Sequence, residues 1–361
     1  MLKEYKCLNC DGGISFDPAS QQLQCPFCDS TFEVAAVLEM EADCQSEQED
    51  ITWTPQHEDR AWEEGEEESM HIYSCNSCGG EIVAEASTAA TQCPFCGNPV
   101  VMKGNLTGSL KPDLIIPFKL DKAQAKEALQ RHLSGKRLLP KCFKSKKTLD
   151  EITSVYVPFW LFDADVDANM RYRATTTRMW SDSRFNYIET RHFNIIRQGD
   201  IAFDGVPVDA STKMPSDMME SLEPFDVSTA MPFSTSYLAG HMADKFDYDS
   251  AECAGRANAR IKNTTELTFR RSVVGYTTVM AQHQGVAVKG GKVQYALLPV
   301  WTIKATYKDK PYMFAMNGQT GKFVGDLPMD WGIFWKWFSI LTVGLTAVIS
   351  LIAILVGGFI Q

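Results

Sequence analysis

Residues 337–360, WFSILTVGLTAVISLIAILVGGFI, run for 24 positions without a charge. As a helix they reach roughly 36 Å at about 1.5 Å per residue. A bilayer's hydrocarbon core is about 30 Å thick, so the helix spans it with some tilt. Lipid tolerates such a segment because an α-helix satisfies its own backbone polar groups. Trp331, Trp335, Trp337 and Lys336 crowd its N-terminal edge, where indoles and cations sit well among headgroups. Core helices of soluble proteins are rarely apolar all round for this length. A transmembrane helix over residues 333–360 is therefore expected. The first residues, MLKEYKCLNC, contain no apolar run of a secretory signal. The expectation is a tail anchor in the cytoplasmic membrane, with the large N-terminal part in the cytosol.

That compartment decides how the eleven cysteines are read. Cytosolic thiols stay reduced, so paired cysteines point to metal rather than to disulfides. Cys7 and Cys10 are followed, after fourteen residues, by Cys25 and Cys28 in Cys-Pro-Phe-Cys. Cys75 and Cys78 are followed, after fourteen residues, by Cys93 and Cys96 in the same tetrapeptide. The two units repeat with an offset of 68 residues. Two residues between cysteines let a tight turn aim both thiolates at one point, and four soft ligands suit tetrahedral Zn²⁺. Two zinc ions per chain are expected, with iron in the same ligand set as the alternative. Each unit is poor in apolar residues, so metal binding is expected to supply much of its folding free energy. Cys44, Cys142 and Cys253 have no partner at ligand spacing and read as structural thiols. His57 and His71 read as surface histidines.

Charge argues against nucleic acid as the ribbons' target. Residues 1–38 carry two basic and five acidic side chains, and residues 71–103 carry one basic and two acidic. A zinc ion held by four thiolates adds about two further negative charges. Phosphate contact needs a basic footprint that neither ribbon has. Protein partners are the expectation.

The net charge of −10 is concentrated between the ribbons. Residues 39–68 hold thirteen acidic side chains and one basic, a net −12, so all other residues sum to +2. Residues 39–70 read as a disordered, self-repelling spacer. Its Trp53 and Trp62 read either as chance occurrences in a spacer or as a short acidic–aromatic docking segment.

From residue 111 to 330 the composition is globular and implies an α+β domain. Residues 121–133 form an amphipathic helix capped by Asp121, and residues 250–271 a longer one. A short helix is expected over 214–222. Strands are expected over 156–174, 185–203, 273–289, 292–307 and 312–323, with Asn317-Gly318 as a turn. The segment GVAVKGGK, residues 285–292, lacks the Gly-Lys-Ser/Thr ending of a phosphate loop and reads as a β-turn. Val157-Pro158-Phe159-Trp160 resembles Leu298-Pro299-Val300-Trp301 at an offset of 141, which suggests an internal repeat. No nucleophile elbow, zinc-protease helix or other catalytic motif is present, and no small-molecule substrate suggests itself. Residues 135–147, GKRLLPKCFKSKK, hold six basic residues and no acidic one. They read either as a solvated loop or as a segment lying against anionic headgroups or the acidic spacer.

The tandem ribbons, the Leu-Pro-Val-Trp strand, the FAMNGQTGKFVGDLP hairpin and the C-terminal span together resemble bacterial membrane-anchored tandem zinc-ribbon proteins. These carry labels taken from the transcription-factor-IIB-type ribbon or from the PriA replication-restart helicase. The resemblance implies a setting beside phage-shock-protein-A-like and SPFH-domain proteins of the membrane-stress response. It carries zinc ligation onto Cys7, Cys10, Cys25, Cys28, Cys75, Cys78, Cys93 and Cys96, and it carries no catalytic residue.

The sequence thus predicts a multi-domain chain. Ribbon one covers residues 1–38, the acidic spacer 39–70, ribbon two 71–103 and the α+β domain 111–330. The expected function is a non-enzymatic membrane adaptor that recruits cytosolic proteins of a stress-response complex. The alternative is a membrane-tethered regulator that binds nucleic acid.

Overall fold

The computed structural model describes residues 7, 12–18, 20–35, 37, 53–55, 62, 65–85, 88, 92–106, 110–145, 151–308 and 310–358. The chain forms two compact units. One comprises Met1–Glu58, Trp160–Val208 and Ser250–Gln294, the other Asp59–Phe159, Asp209–Asp249 and Tyr295–Gln361. Neither is continuous in sequence, because the 29-residue strand Thr153–Ser181 and the 30-residue strand Thr278–Tyr307 each belong partly to both.

In the first unit, Ser15–Asp17, Gln22–Gln24 and Thr31–Phe32 make a small antiparallel sheet of their own, with Phe16 opposite Leu23 and Leu23 opposite Phe32. Thr153–Ser181 turns at residues 182–185 and returns as Asn186–Asp209, forming a long hairpin. Alternate residues Ala164, Val166, Ala168, Met170, Tyr172 and Ala174 are buried, as the period of two along a half-buried strand requires. The helix Ser250–Arg271 buries Cys253, Ala257, Ile261 and Thr265, one residue per turn. Ile261 joins Ala164 and Val166 in one apolar cluster.

Two expectations fail in this unit for one shared reason. Residues 285–292 contain no turn, since Thr278–Tyr307 is a single strand. Within the acidic spacer, Trp53–Pro55 is a strand rather than disordered chain, and pairs in parallel with residues 291–293. The indole of Trp53 lies where a Cβ on Gly291 would be, so glycine is needed there to admit a ring. Trp53 packs edge-on against Phe162, with centroids 4.8 Å apart, and donates Nε1–H to Asn258 Oδ1 at 3.0 Å. It is an internal packing residue.

In the second unit, hydrogen-bonded neighbours run in the order Met231–Pro232, Leu114–Ile115, Thr278–Tyr307, Thr153–Ser181, Met242–Asp244, Glu81–Glu85, Met70–Ser74 and Val101–Asn105. The last three are the strands around the second cysteine set, so that ribbon is part of the unit's sheet. Ala243 pairs with Val83 on one side and Tyr156 on the other. The helix Lys122–Ser134 has a complete capping box, with Asp121 and Gln124 bonding reciprocally. It buries Ala125, Leu129 and Leu133 against Trp301, Ile303, Phe314 and Met316.

Leu139 and Phe143, from the basic segment, enter the same core, and Lys141–Lys144 is a short 3₁₀ turn. The described part of that segment is therefore pinned by apolar contacts. Trp62 also packs internally, edge-on to Phe233 with centroids 5.9 Å apart. Pro158 and Pro299, from the two similar tetrapeptides, each accept a backbone bond from outside their own strand, from Ala210 at 3.0 Å and Gly318 at 2.9 Å.

Trp331–Gly358 is a helix of 28 residues. Its segment Trp331–Ser350 is long and apolar enough to cross a membrane, and none of it is buried. Its start is tied to the basic segment. Asp330 donates its backbone N–H to Leu138 O at 2.8 Å, and the Arg137 guanidinium lies 6.0 Å from the Trp337 ring centroid.

Candidate metal centre

The cysteines are aimed by a repeated backbone device. Cys75 N–H bonds to Gly80 O at 2.9 Å, and Gly79 N–H returns to Cys75 O at 2.9 Å. Cys93 repeats this with Asn98 O at 2.8 Å and Gly97 N–H at 3.0 Å, and Cys25 with Ser30 O at 2.9 Å and Asp29 N–H at 3.0 Å. The residue after the second cysteine must turn left-handed, and Gly79, Gly97 and Asp29 do so with φ of 73°, 78° and 56°. Asp is among the few non-glycine residues that tolerate this region.

The knuckles bring Cys75, Cys78, Cys93 and Cys96 together in the second unit, and Cys7, Cys25 and Cys28 in the first, with all sulfurs of a set within 4.8 Å of one another. Cys10, the fourth expected ligand of the first set, lies outside the described residues. Sulfur pairs approach to 3.3 Å for Cys75–Cys96, 3.6 Å for Cys78–Cys93 and 3.5 Å for Cys7–Cys28. A tetrahedral ion with bonds near 2.3 Å places its sulfurs about 3.8 Å apart. Both sets therefore fit a metal ion held by thiolates.

Polar groups around the second set favour that chemistry. Phe95 N–H points at Cys93 Sγ at 3.4 Å, and Asn98 Nδ2 at Cys96 Sγ at 3.5 Å. Burial opposes ionisation of Cys75, but the backbone N–H groups of Cys78 and Ser77 overcome it and bring its pKa down to about 6. Burial pushes Cys93 up to about 12 and raises Cys78 as well. Backbone N–H groups thus favour a thiolate within the set, while burial makes a bound cation the means of ionising the set as a whole.

Two lysines from sequence-distant strands and loops face this cluster. Lys304 donates Nζ–H to Cys93 O at 2.5 Å. Burial lowers its pKa to about 8 against the opposing pull of the four sulfurs. Lys213 bonds to Asp247 at 2.9 Å; burial works against its charge, but Asp247, Asp244 and Cys78 outweigh that and raise its pKa. Asp244 lies beneath, accepting from Ser211 Oγ at 2.5 Å, and burial pushes its pKa up to about 7. No spacing rule pointed to Lys304 or Lys213, because their proximity arises only from the fold.

The remaining candidates fall elsewhere. Cys253 is buried on the helix Ser250–Arg271, Cys142 is exposed, and neither joins a cluster among the described residues. His71 Nδ1 lies 3.1 Å from Asn105 Oδ1. Cys44 and His57 lie outside the described residues. A cavity of about 690 Å³ in the second unit is lined by Phe118, Asp121, Lys122, His241 and Trp301 among others. There His241 stacks on Phe118 with centroids 4.6 Å apart, while Asp121 is used as the helix cap.

The chain is 32% identical over 358 residues to the uncharacterized protein YdjG of Bacillus subtilis (strain 168), covering 99% of each chain, and it belongs to that protein's family. No protein-family profile matches the chain, and no solved structure matches it.

Proposed function

We propose that this chain is a membrane-anchored, non-enzymatic adaptor, built on two structural zinc ions, that recruits a cytosolic protein through its first ribbon. Cys75, Cys78, Cys93 and Cys96 hold one ion, and Cys7, Cys10, Cys25 and Cys28 the other. Four thiolates close the coordination shell, and a closed shell leaves no position for a substrate. The metal is therefore a folding element. The apolar helix anchors the chain. The basic segment at its foot, with Arg137 over Trp337, supports placing that end among cytosolic headgroups.

One observation carries the recruiting role. Phe27 and Phe95 occupy the same position in the duplicated Cys-Pro-Phe-Cys knuckles, yet Phe95 is 7% exposed and Phe27 is 75% exposed. The first ribbon presents to solvent the ring that the second buries in its own unit, and an exposed aromatic on a metal-stiffened turn is a good anchor for a protein partner. The acidic balance of residues 1–38 favours protein over nucleic acid. By the resemblance stated above, the candidate partner is a phage-shock-protein-A-like coat protein.

The test is a full-length chain carrying Phe27→Ser, expressed in cells. The variant should retain two zinc ions and stay in the membrane, while proteins co-purifying with the wild type from solubilised membranes are lost. Unchanged co-purification, together with DNA or RNA binding by the full chain that falls steeply with salt, would move the assignment to a membrane-tethered nucleic-acid-binding regulator.

A further inference from the structure

The far end of the long hairpin exposes a cluster of large apolar side chains. Every residue from 178 to 188 is exposed. Met179 is 72% exposed, Phe185 63% and Ile188 65%. Such side chains normally cap a hairpin only when something covers them.

This tip is also tied together by its own contacts. Asp182 Oδ1 accepts the backbone N–H groups of Arg184 at 2.8 Å and Phe185 at 2.7 Å, and its Oδ2 accepts from Tyr187 Oη at 2.9 Å. Trp180 and Tyr187 stack across the two strands, with centroids 5.4 Å apart and planes 11° from parallel. Arg178 lies over the Trp180 ring at 5.6 Å. The aromatic surface is preorganised rather than collapsed.

Charge identifies the occupant. Residues 171–197 contain six arginines against Asp182 and Glu189 as the only acids. Arg178, Arg184 and Arg191 are exposed around the apolar tip. Amphipathic rings flanked by cations match the region where headgroups meet acyl chains. Cations near the surface draw the segment to anionic lipid. Phosphate backbones would use the arginines and the rings, but would leave Met179, Ile188 and Phe185 uncovered.

We propose that residues 178–188 are a second membrane contact, a hairpin tip that seats Met179, Trp180, Phe185 and Ile188 in the headgroup layer of a bilayer rich in anionic phospholipid. The helix Trp331–Gly358 would hold the chain at the membrane, and the tip would respond to its lipid composition. This rests on the membrane setting of the proposed function and is independent of which partner the first ribbon binds.

The experiment places the full-length chain in lipid nanodiscs of phosphatidylcholine alone and of phosphatidylcholine with phosphatidylglycerol. Hydrogen–deuterium exchange of residues 178–188 is then followed by mass spectrometry. Exchange several-fold slower in the anionic discs is expected. That protection should disappear in a chain carrying Phe185→Ser, and in a second carrying Arg178→Glu, Arg184→Glu and Arg191→Glu. Equal exchange in both discs overturns the proposal. So does protection that appears in neutral discs only on adding duplex DNA, or only on raising the protein concentration, which would assign the tip to nucleic acid or to a second copy. Co-elution of chain and disc reports the anchor separately. A chain that enters neither disc defeats the anchor reading, and its tip is then judged by the same criterion on added vesicles of the same two compositions.

Discussion

Lys304 Nζ lies 2.5 Å from the backbone oxygen of Cys93, which puts a half-buried ammonium beside the second thiol cluster. A dication held by four thiolates carries about two net negative charges. Burying that surface against a folded unit is costly unless cations come with it. Lys304 and Lys213 are those cations. Replacing Lys304 with Met keeps the stem and removes the charge. Metal affinity of the second site should fall by about tenfold, at the low end of outer-shell effects. Competition with a chromogenic chelator on the full-length chain would measure it. The first site serves as the internal control, and an equal loss at both sites would count against a local role for Lys304.

The two clusters should fail differently when a ligand is removed. Cys25→Ser should lower zinc from two to one per chain and leave the rest of the fold intact, because the strands around Cys25 pair only with one another among the described residues. Cys93→Ser should also lower zinc to one, but with a visible loss of stability. The strands Met70–Ser74 and Glu81–Glu85 continue the sheet through Met242–Asp244. Metal analysis paired with thermal unfolding separates the outcomes. Equal melting of the two variants would mean that the second ribbon stands free of its sheet.

Trp53 offers a direct contrast between packing and docking. Its indole fills the space above Gly291, meets Phe162 and bonds to Asn258. Trp53→Ala should cost about 2–3 kcal/mol, somewhat below the range for fully buried tryptophans. Co-purifying proteins should be unchanged. Lost partners with unchanged stability would restore the spacer as a docking segment.

What could be read in the sequence was local. The knuckles at Cys25, Cys75 and Cys93, the cap at Asp121, the turn at Asn317-Gly318 and the apolar helix each depend on residues within a few positions, and each is present. What was misread depends on residues far apart. The pair Gly290-Gly291 has the composition of a turn, but Gly291 is small because Trp53 packs onto it. An acidic stretch looks unstructured by composition, yet three of its residues add a strand beside residues 291–293. The second ribbon looked like a separate bead on a string. Its sheet partner, Met242–Asp244, lies well over a hundred residues away, and no spacing rule encodes that pairing. The first ribbon has the same motif, and only the fold reveals that Phe27 and Phe95 live in opposite environments.

Asp244 supplies a pH signature for that junction. It is buried on the strand next to Glu81–Glu85, accepts from Ser211 Oγ, and burial pushes its pKa up to about 7. In the unfolded chain an Asp titrates near 3.9. Between those values the folded state holds a proton that the unfolded state has released. The associated stabilisation is complete below about pH 4 and is lost as pH rises through about 7. Across pH 6 to 8 the loss is about 1.4 kcal/mol for a single group centred near 7. Asp244→Asn mimics the protonated acid, retains an oxygen for Ser211 and cannot ionise. The full-length wild type should therefore already melt below the variant at pH 6, and the gap should widen by the equivalent of about 1.4 kcal/mol by pH 8. Any pH dependence from the cysteines is common to both proteins and cancels in the difference. Parallel curves across that range would show that Asp244 stays ionised in the fold, and the sheet junction would then have to tolerate a buried carboxylate with Lys213 as its nearest compensating charge.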